Sequence, residues 1–332
     1  MPAKPSVIAQ QTRLFPKNKG ADAYKVTGIA AKCDWVVLSD VCEPRVHLVK
    51  HSNTPRFIYL SLRAPYDALQ YFYESVLPLV DSPFVLVSGS EDVTIPVQTD
   101  IRWREYNEAE NHIIHAIQTH PLLVHWFAEN LVGNNSDVMS PLPLGLVFPD
   151  SQTSPVISLP DTTPLAERPN TVFCAHRVRQ GDQWERRRKV TELATTAWQD
   201  FCESCTDEMS EPDFFATIQQ HSFVICVEGG GVDPAPKAWH ALMNGAIPIV
   251  CSAGVKGAYS HFPVVFVDDW EADAITESKL AEWKSLYVEW FDNNEQRNEL
   301  LRRLGIEYWW GLVSDTYNNV VEQPVTSEHA EI

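Results

Sequence analysis

Residues 223–250, FVICVEGGGVDPAPKAWHALMNGAIPIV, decide how this chain is read. Residues 223–227 are apolar throughout, enough for one buried strand. Glu228-Gly229-Gly230-Gly231 follows, and three glycines allow positive φ and a close backbone approach to a ligand. A helix is expected over 235–244, starting near Asp233-Pro234, with its N-terminus facing whatever the loop holds. Exposed amides and the helix dipole there favour an anion such as a pyrophosphate. Lys237 lies about one turn into the helix, and His240 follows three residues later on roughly the same face. Gly245-Ala246 closes the helix, and Ile247-Pro248-Ile249-Val250 starts the next strand. The loop is neither a Walker A loop nor a G-x-G-x-x-G fingerprint. A tight turn that holds no ligand would carry the same glycines.

The same rhythm extends both ways from this unit. Strands are expected at 171–175, 247–251 and 264–267, and helices at 184–196, 213–220 and near 278–304. Trp283, Leu286, Tyr287 and Trp290 recur at helical spacing and give the last of these one apolar face. Upstream, 35–38, 57–62 and 84–87 read as strands, 67–79 and 108–119 as helices, and 122–130 as a strand or short helix. Short apolar strands alternating with helices indicate parallel sheets covered on both faces. Between them, Pro141, Pro143, Pro149, Pro155, Pro160, Pro164 and Pro169 crowd a Ser/Thr/Asp-rich stretch that reads as a linker. The expected organisation is an α/β protein with domains at 1–165 and 166–322 and a tail at 323–332. Ligands of such sheets bind beyond the carboxyl ends of the strands, here in a cleft between two halves.

The composition narrows the function classes. Of 332 residues, 26 are Lys or Arg and 44 are Asp or Glu, a formal charge of −18. That balance argues against general nucleic-acid binding and against docking on anionic lipid. No apolar run approaches the ~18–20 residues of a membrane span. The first fifteen residues lack the apolar block of a signal peptide, so a cytoplasmic location is expected. Seven scattered cysteines fit buried free thiols. Cys202 and Cys205 form a lone C-x-x-C, a weak zinc or redox signal without a second pair.

The pattern of strand, glycine turn, Asp233, Lys237, Trp239-His240-Ala241-Leu242 and Gly245-Ala246-Ile247-Pro248-Ile249 resembles the donor-binding half of exostosin-like glycosyltransferases. Phe262-Pro263-Val264-Val265-Phe266-Val267-Asp268-Asp269-Trp270 is similar to a downstream stretch of that family. Trp126-Phe127-Ala128-Glu129-Asn130 and Pro141-Leu142-Pro143-Leu144-Gly145 resemble blocks of related polysaccharide-making proteins, and residues 84–92 fit the same scheme. The matches span about residues 84–270. Two departures stand out: Lys237 occupies the place of the family's usual Arg, and His240 that of its Glu, which is thought to hold the nucleotide ribose. A carboxylate accepts two hydroxyl hydrogen bonds, whereas neutral His offers one donor and one acceptor.

The resemblance implies two Rossmann-like domains facing a central cleft, the GT-B architecture. It also implies sugar transfer from a nucleotide-sugar, UDP- or GDP-linked, to a glycan or other hydroxyl acceptor, without a bound metal or other cofactor and with inversion. No Asp-x-Asp triplet occurs. Without a metal, the leaving diphosphate needs charge from amides and basic side chains. Glu228, Gly229, Gly230, Gly231, Asp233, Lys237 and His240 are the expected donor-binding residues. Residues 176–189 form a basic island in an acidic chain, and Arg177, Arg179 and Arg187 are its candidates for the phosphates. The base that takes the acceptor proton is expected from the first domain. Asp92 is the first choice, then His125 and Glu129, with Asp40 also possible. His112, His115 and His120 show no metal-ligand spacing, and Trp126, Trp239 and Trp270 are expected in the core. The alternative is an inactive nucleotide- or glycan-binding relative that serves as a partner subunit.

Overall fold

The computed structural model describes residues 6–10, 12, 25–39, 44–50, 52–133, 137–146, 156–158, 161–178, 180–251 and 254–321. Asp40, Arg179 and the tail at 323–332 lie outside these residues.

The strands of the first half are β1 (Ser6–Ile8), β2 (Trp35–Leu38), β3 (Arg45–Leu48), β4 (Phe57–Ser61), β5 (Phe84–Gly89), β6 (Ile95–Pro96), β7 (Leu123–Glu129), β8 (Leu131–Val132) and β9 (Met139–Leu142). Its helices are α1 (Pro65–Tyr71) and α2 (Glu108–Gln118). β10 (Val156–Ser158) pairs with β1, and the second half carries β11 (Val172–Ala175), β12 (Cys202–Cys205), β13 (Phe223–Ile225), β14 (Ile247–Cys251) and β15 (Val265–Val267). Its helices are α3 (Glu185–Thr195), α4 (Glu211–Ile218), α5 (Lys237–Met243), α6 (Lys256–Tyr259), α7 (Glu277–Asp292), α8 (Asn294–Leu304) and α9 (Ile306–Val321).

Two main sheets result. The first has strand order β3-β2-β4-β5-β7-β9, parallel except for β3, which runs antiparallel at the edge. The second has order β12-β11-β13-β14-β15 and is wholly parallel. Both match the expectation of two Rossmann-like α/β units. Successive residues of a strand face opposite sides. Val37, Ile58, Leu60, Leu86 and Trp126 accordingly share one core with Leu69, Phe72, Ile113 and Ile117 of the first half's helical segments. The opposite face is covered from the far end of the chain, because α9 packs on β5 and β7. Phe57 meets Trp310 and Tyr317 there, with ring centroids 4.8 and 5.3 Å apart.

Four departures from the sequence reading have physical causes. Pro141, read as linker, lies in β9, an edge strand where a missing N–H is tolerated. The single helix expected near 278–304 is two, because Asn293 leaves helical geometry and its side chain accepts from Glu295 and Gln296 N–H. The helix expected from near Asp233-Pro234 starts only at Lys237 and has seven residues. The C-x-x-C segment is the edge strand β12. Trp126, Trp239 and Trp270 are core, as expected.

Candidate functional site

The carboxyl ends of β11 and β13 open onto a cavity of about 220 Å³. Arg177, Arg187 and Lys237 line it together with His176 and Trp184. Three basic residues that are up to 60 positions apart in sequence thus converge at one sheet edge. α5 is too short for its dipole to matter, so the positive charge comes from the side chains.

Each side chain is held by specific contacts. The Lys237 ammonium donates to the carbonyl of Ala175, the last residue of β11. It is half-buried, and burial lowers its pKa from 10.5 to about 8, against the attraction of Cys226 and Cys174. The Arg187 Nε donates to the Glu228 carbonyl at 3.1 Å, and its guanidinium lies 4.5 Å from the centre of the Trp184 ring. His176 is buried, with Nε2 2.9 Å from both the Arg187 carbonyl and Thr191 Oγ1. Arg177 extends outward and pairs with Glu208. A doubly or triply charged anion in this cavity would meet several cations at once.

The glycine loop lies beside a second cavity of about 370 Å³, walled by Thr99, Ile101 and Val132 from the first half and by Glu185, Arg186 and Gly229–Gly231 from the second. It is the expected interdomain cleft. The first half presses directly on the loop. Asn130 Oδ1 accepts from Val232 N at 3.0 Å and from Asp233 N at 3.1 Å. The Arg102 guanidinium occupies the space where a Cβ on Gly230 would stand. A Cβ on Gly231 would come within 2.5 Å of Asn130 Oδ1 and 2.7 Å of the Asp92 carbonyl. Gly230 and Gly231 are therefore needed for the contact between the two halves, whatever the loop binds.

The acids of this segment brace it. Glu228 pairs with Arg186, and Trp270 Nε1 lies 3.4 Å from its other oxygen. The Asp233 carboxylate is buried and accepts from Tyr259 Oη at 2.5 Å, Leu144 N at 2.7 Å and Ala235 N at 2.8 Å. Burial raises its pKa, and these hydrogen bonds oppose the rise. Asp233 thereby ties the chain after β9 to the start of α5. His240 points its ring at Phe215, with centroids 4.9 Å apart, and at Phe214. Its Nδ1 is buried without a hydrogen-bond partner, and burial lowers its pKa to about 4. His240 is thus neutral at pH 7 and does not line the cavity of Lys237.

The three candidate bases lie in different places. Asp92 is next to the loop, its carboxylate 2.6 Å from Arg102 Nη2. Arg102 also pairs with Asp100. Glu129 ends β7 but is buried, accepting from Thr12 Oγ1 at 2.5 Å and from Ser90 N at 2.9 Å. His125 sits four residues earlier on β7, against Ser140 and Phe127, and the structure does not bring it to the carboxyl edge. Arg102 and Asn130 are the site residues that the sequence reading missed. Nothing local marks Arg102, and Asn130 stands out only as the end of the Trp126–Asn130 block.

No family model and no curated protein matches this chain. Among solved structures it is similar to a glycosyltransferase of Rickettsia africae, with 10% identity, a TM-score of 0.40 and coverage of 81% of this chain and 77% of that one. It is also similar to Anabaena HepE in complex with UDP, at 11% identity, TM-score 0.44 and coverage of 80% and 79%. Sucrose-phosphate synthase from Thermosynechococcus elongatus matches at 10% identity, TM-score 0.42 and coverage of 80% and 74%. Likeness this distant carries no functional argument.

Proposed function

We propose that the chain is a glycosyltransferase that moves a sugar from a nucleoside-diphosphate sugar to a hydroxyl acceptor. The observation that carries this reading is the cavity of Arg177, Arg187 and Lys237 at the ends of β11 and β13. Its chemistry suits a leaving diphosphate. Charge builds on the departing oxygen as the glycosidic bond breaks, and fixed cations stabilise it without a metal. The sugar and acceptor would occupy the 370 Å³ cleft beside Gly229–Gly231. Asp92 is the proposed proton acceptor, oriented by Arg102, and direct attack by the acceptor would invert the anomeric centre.

A specific observation favours a second reading. Asp92 is held by Arg102, and Glu129 by Thr12 and Ser90. A protein that binds the nucleotide without chemistry fits those engaged carboxylates. The test is release of nucleoside diphosphate from UDP- and GDP-hexoses in EDTA, with and without an octyl glycoside acceptor. Transfer predicts release that the acceptor accelerates and that Asp92→Asn lowers at least tenfold. Tight binding with no release under any condition would establish the second reading instead.

A further inference from the structure

A third cavity, of about 210 Å³, adjoins the basic one, and the two share Ala175, His176 and Arg177 as a common wall. Its far side is made by the loop after β12, with Asp207, Glu208 and Met209, and by Phe214 of α4. Phe214 and Met209 supply apolar faces of the kind that stack on a flat ring. Asp207 and Glu208 supply carboxylate acceptors, with Asp207 fully in the loop and Glu208 pairing with Arg177. His240, whose buried Nδ1 has no partner, lies one turn after Lys237 and touches Phe214, and so sits between a residue of each cavity.

We propose that this cavity holds the base of the nucleotide and that Asp207 and Glu208 select guanine. The proposal rests on the reading that the neighbouring cavity holds a diphosphate. With the phosphates beside Arg187 and Lys237, a nucleoside has to extend past the shared wall at residues 175–177. The carboxylates then discriminate by complementarity. An ionised carboxylate only accepts hydrogen bonds. Guanine presents two adjacent donors, N1–H and the 2-amino group, which match the two oxygens of one carboxylate. Uracil presents a single N3–H flanked by two carbonyl oxygens that a carboxylate repels. Adenine and cytosine each pair an amino donor with a ring-nitrogen acceptor, so only one of the two oxygens is satisfied. Arg177 would turn from Glu208 toward the phosphates, leaving that carboxylate to the base.

The test is calorimetric titration of the full chain with GDP, IDP, UDP, ADP and CDP in EDTA. IDP is the informative probe, because it differs from GDP only in lacking the 2-amino group. The proposal expects GDP to bind at least tenfold tighter than IDP and tighter than the other three. It also expects the double variant Asp207→Asn with Glu208→Gln to abolish the GDP–IDP difference and to strengthen UDP binding, because the repulsion of the uracil carbonyl oxygens is removed. Both residues are exposed on a loop, and a wild-type unfolding midpoint would show that the variant folds. UDP binding as tightly as GDP, or a GDP preference that survives the double variant, would overturn the base assignment while the diphosphate reading stands. Binding of none of the five would overturn both.

Discussion

Lys237→Met is the most informative perturbation, because stability and binding should move in opposite directions. The substitution keeps an unbranched side chain, one atom shorter, and removes its charge. The fall of the Lys237 pKa from 10.5 to about 8 means that burial opposes the charged form. At about 1.4 kcal/mol per pH unit, that is worth about 3 kcal/mol against the folded protein below pH 8. The lost hydrogen bond to the Ala175 carbonyl returns about 1.5–3 kcal/mol, the usual worth of a bond from a charged donor. The net expectation at pH 7 is a gain between zero and about 1.5 kcal/mol, or up to a few degrees in Tm. The pH dependence follows from the sign of the shift. Between pH 8 and 10.5 the unfolded chain still holds the proton that the folded lysine has released. Wild-type stability therefore rises across that window relative to the variant, and the variant's advantage shrinks. Binding should fall, with nucleoside diphosphate affinity at least tenfold weaker once the cation is gone. Urea unfolding at pH 7 and pH 10, with calorimetry of GDP and UDP, measures both. A variant that is 2 kcal/mol or more less stable, with unchanged nucleotide affinity, would refute the reasoning and make Lys237 a structural donor.

Other consequences are independent of that variant. Nucleotide affinity of the wild type should fall as pH rises through about 8, by up to tenfold per pH unit, because only the ammonium form of Lys237 attracts the anion; titrations from pH 6.5 to 9.5 test this. Asn130→Ala should cost about 1–3 kcal/mol in urea unfolding by stranding the Val232 and Asp233 N–H groups. Asn130→Gly would recover only the part due to the positive φ of 53°. Gly231→Ala should cost about 1–3 kcal/mol and slow turnover, since its Cβ would wedge Asn130 and Asp92 away from the loop. His240→Phe should remove an acid sensitivity. The unfolded chain protonates this histidine near its ordinary 6.5 while the folded one resists to about 4, so wild-type stability drops as pH falls through that window and the variant's drops less.

The regular part of the fold was legible because buried parallel strands are short apolar runs. The runs at 35–38, 57–62, 84–87, 171–175 and 247–251 announce themselves in that way, and each coincides with a strand to within two residues. What was not legible depended on partners distant in sequence. The edge strands β3 and β12 are half-exposed, so their polar residues, such as Arg45, His47 and Glu203, break the apolar signal. α9 is absent from the sequence reading, which ends its last helix at 304, and nothing in its residues states that it returns to cover β5 and β7. At the site, Arg177 and Arg187 are identifiable by charge against an acidic background and Lys237 by its place after the glycine loop, and the structure brings them to one cavity. His240 was expected beside Lys237, but the helix starts at residue 237 and carries its ring to Phe214 and Phe215 instead. The glycines were read as room for a ligand. The close neighbours of Gly230 and Gly231 are Arg102, Asn130 and Asp92. A glycine signals a close approach without naming what approaches.

The central claim is that the cavity of Arg187 and Lys237 holds the diphosphate of a nucleotide. A crystal structure of the protein grown with GDP in EDTA tests it most directly. The β-phosphate is expected within hydrogen-bonding distance of Lys237 Nζ and the Arg187 guanidinium, with the nucleoside running past residues 175–177. A nucleotide seated elsewhere, for instance in the cleft at Glu185 and Arg186, with this cavity empty, would contradict it.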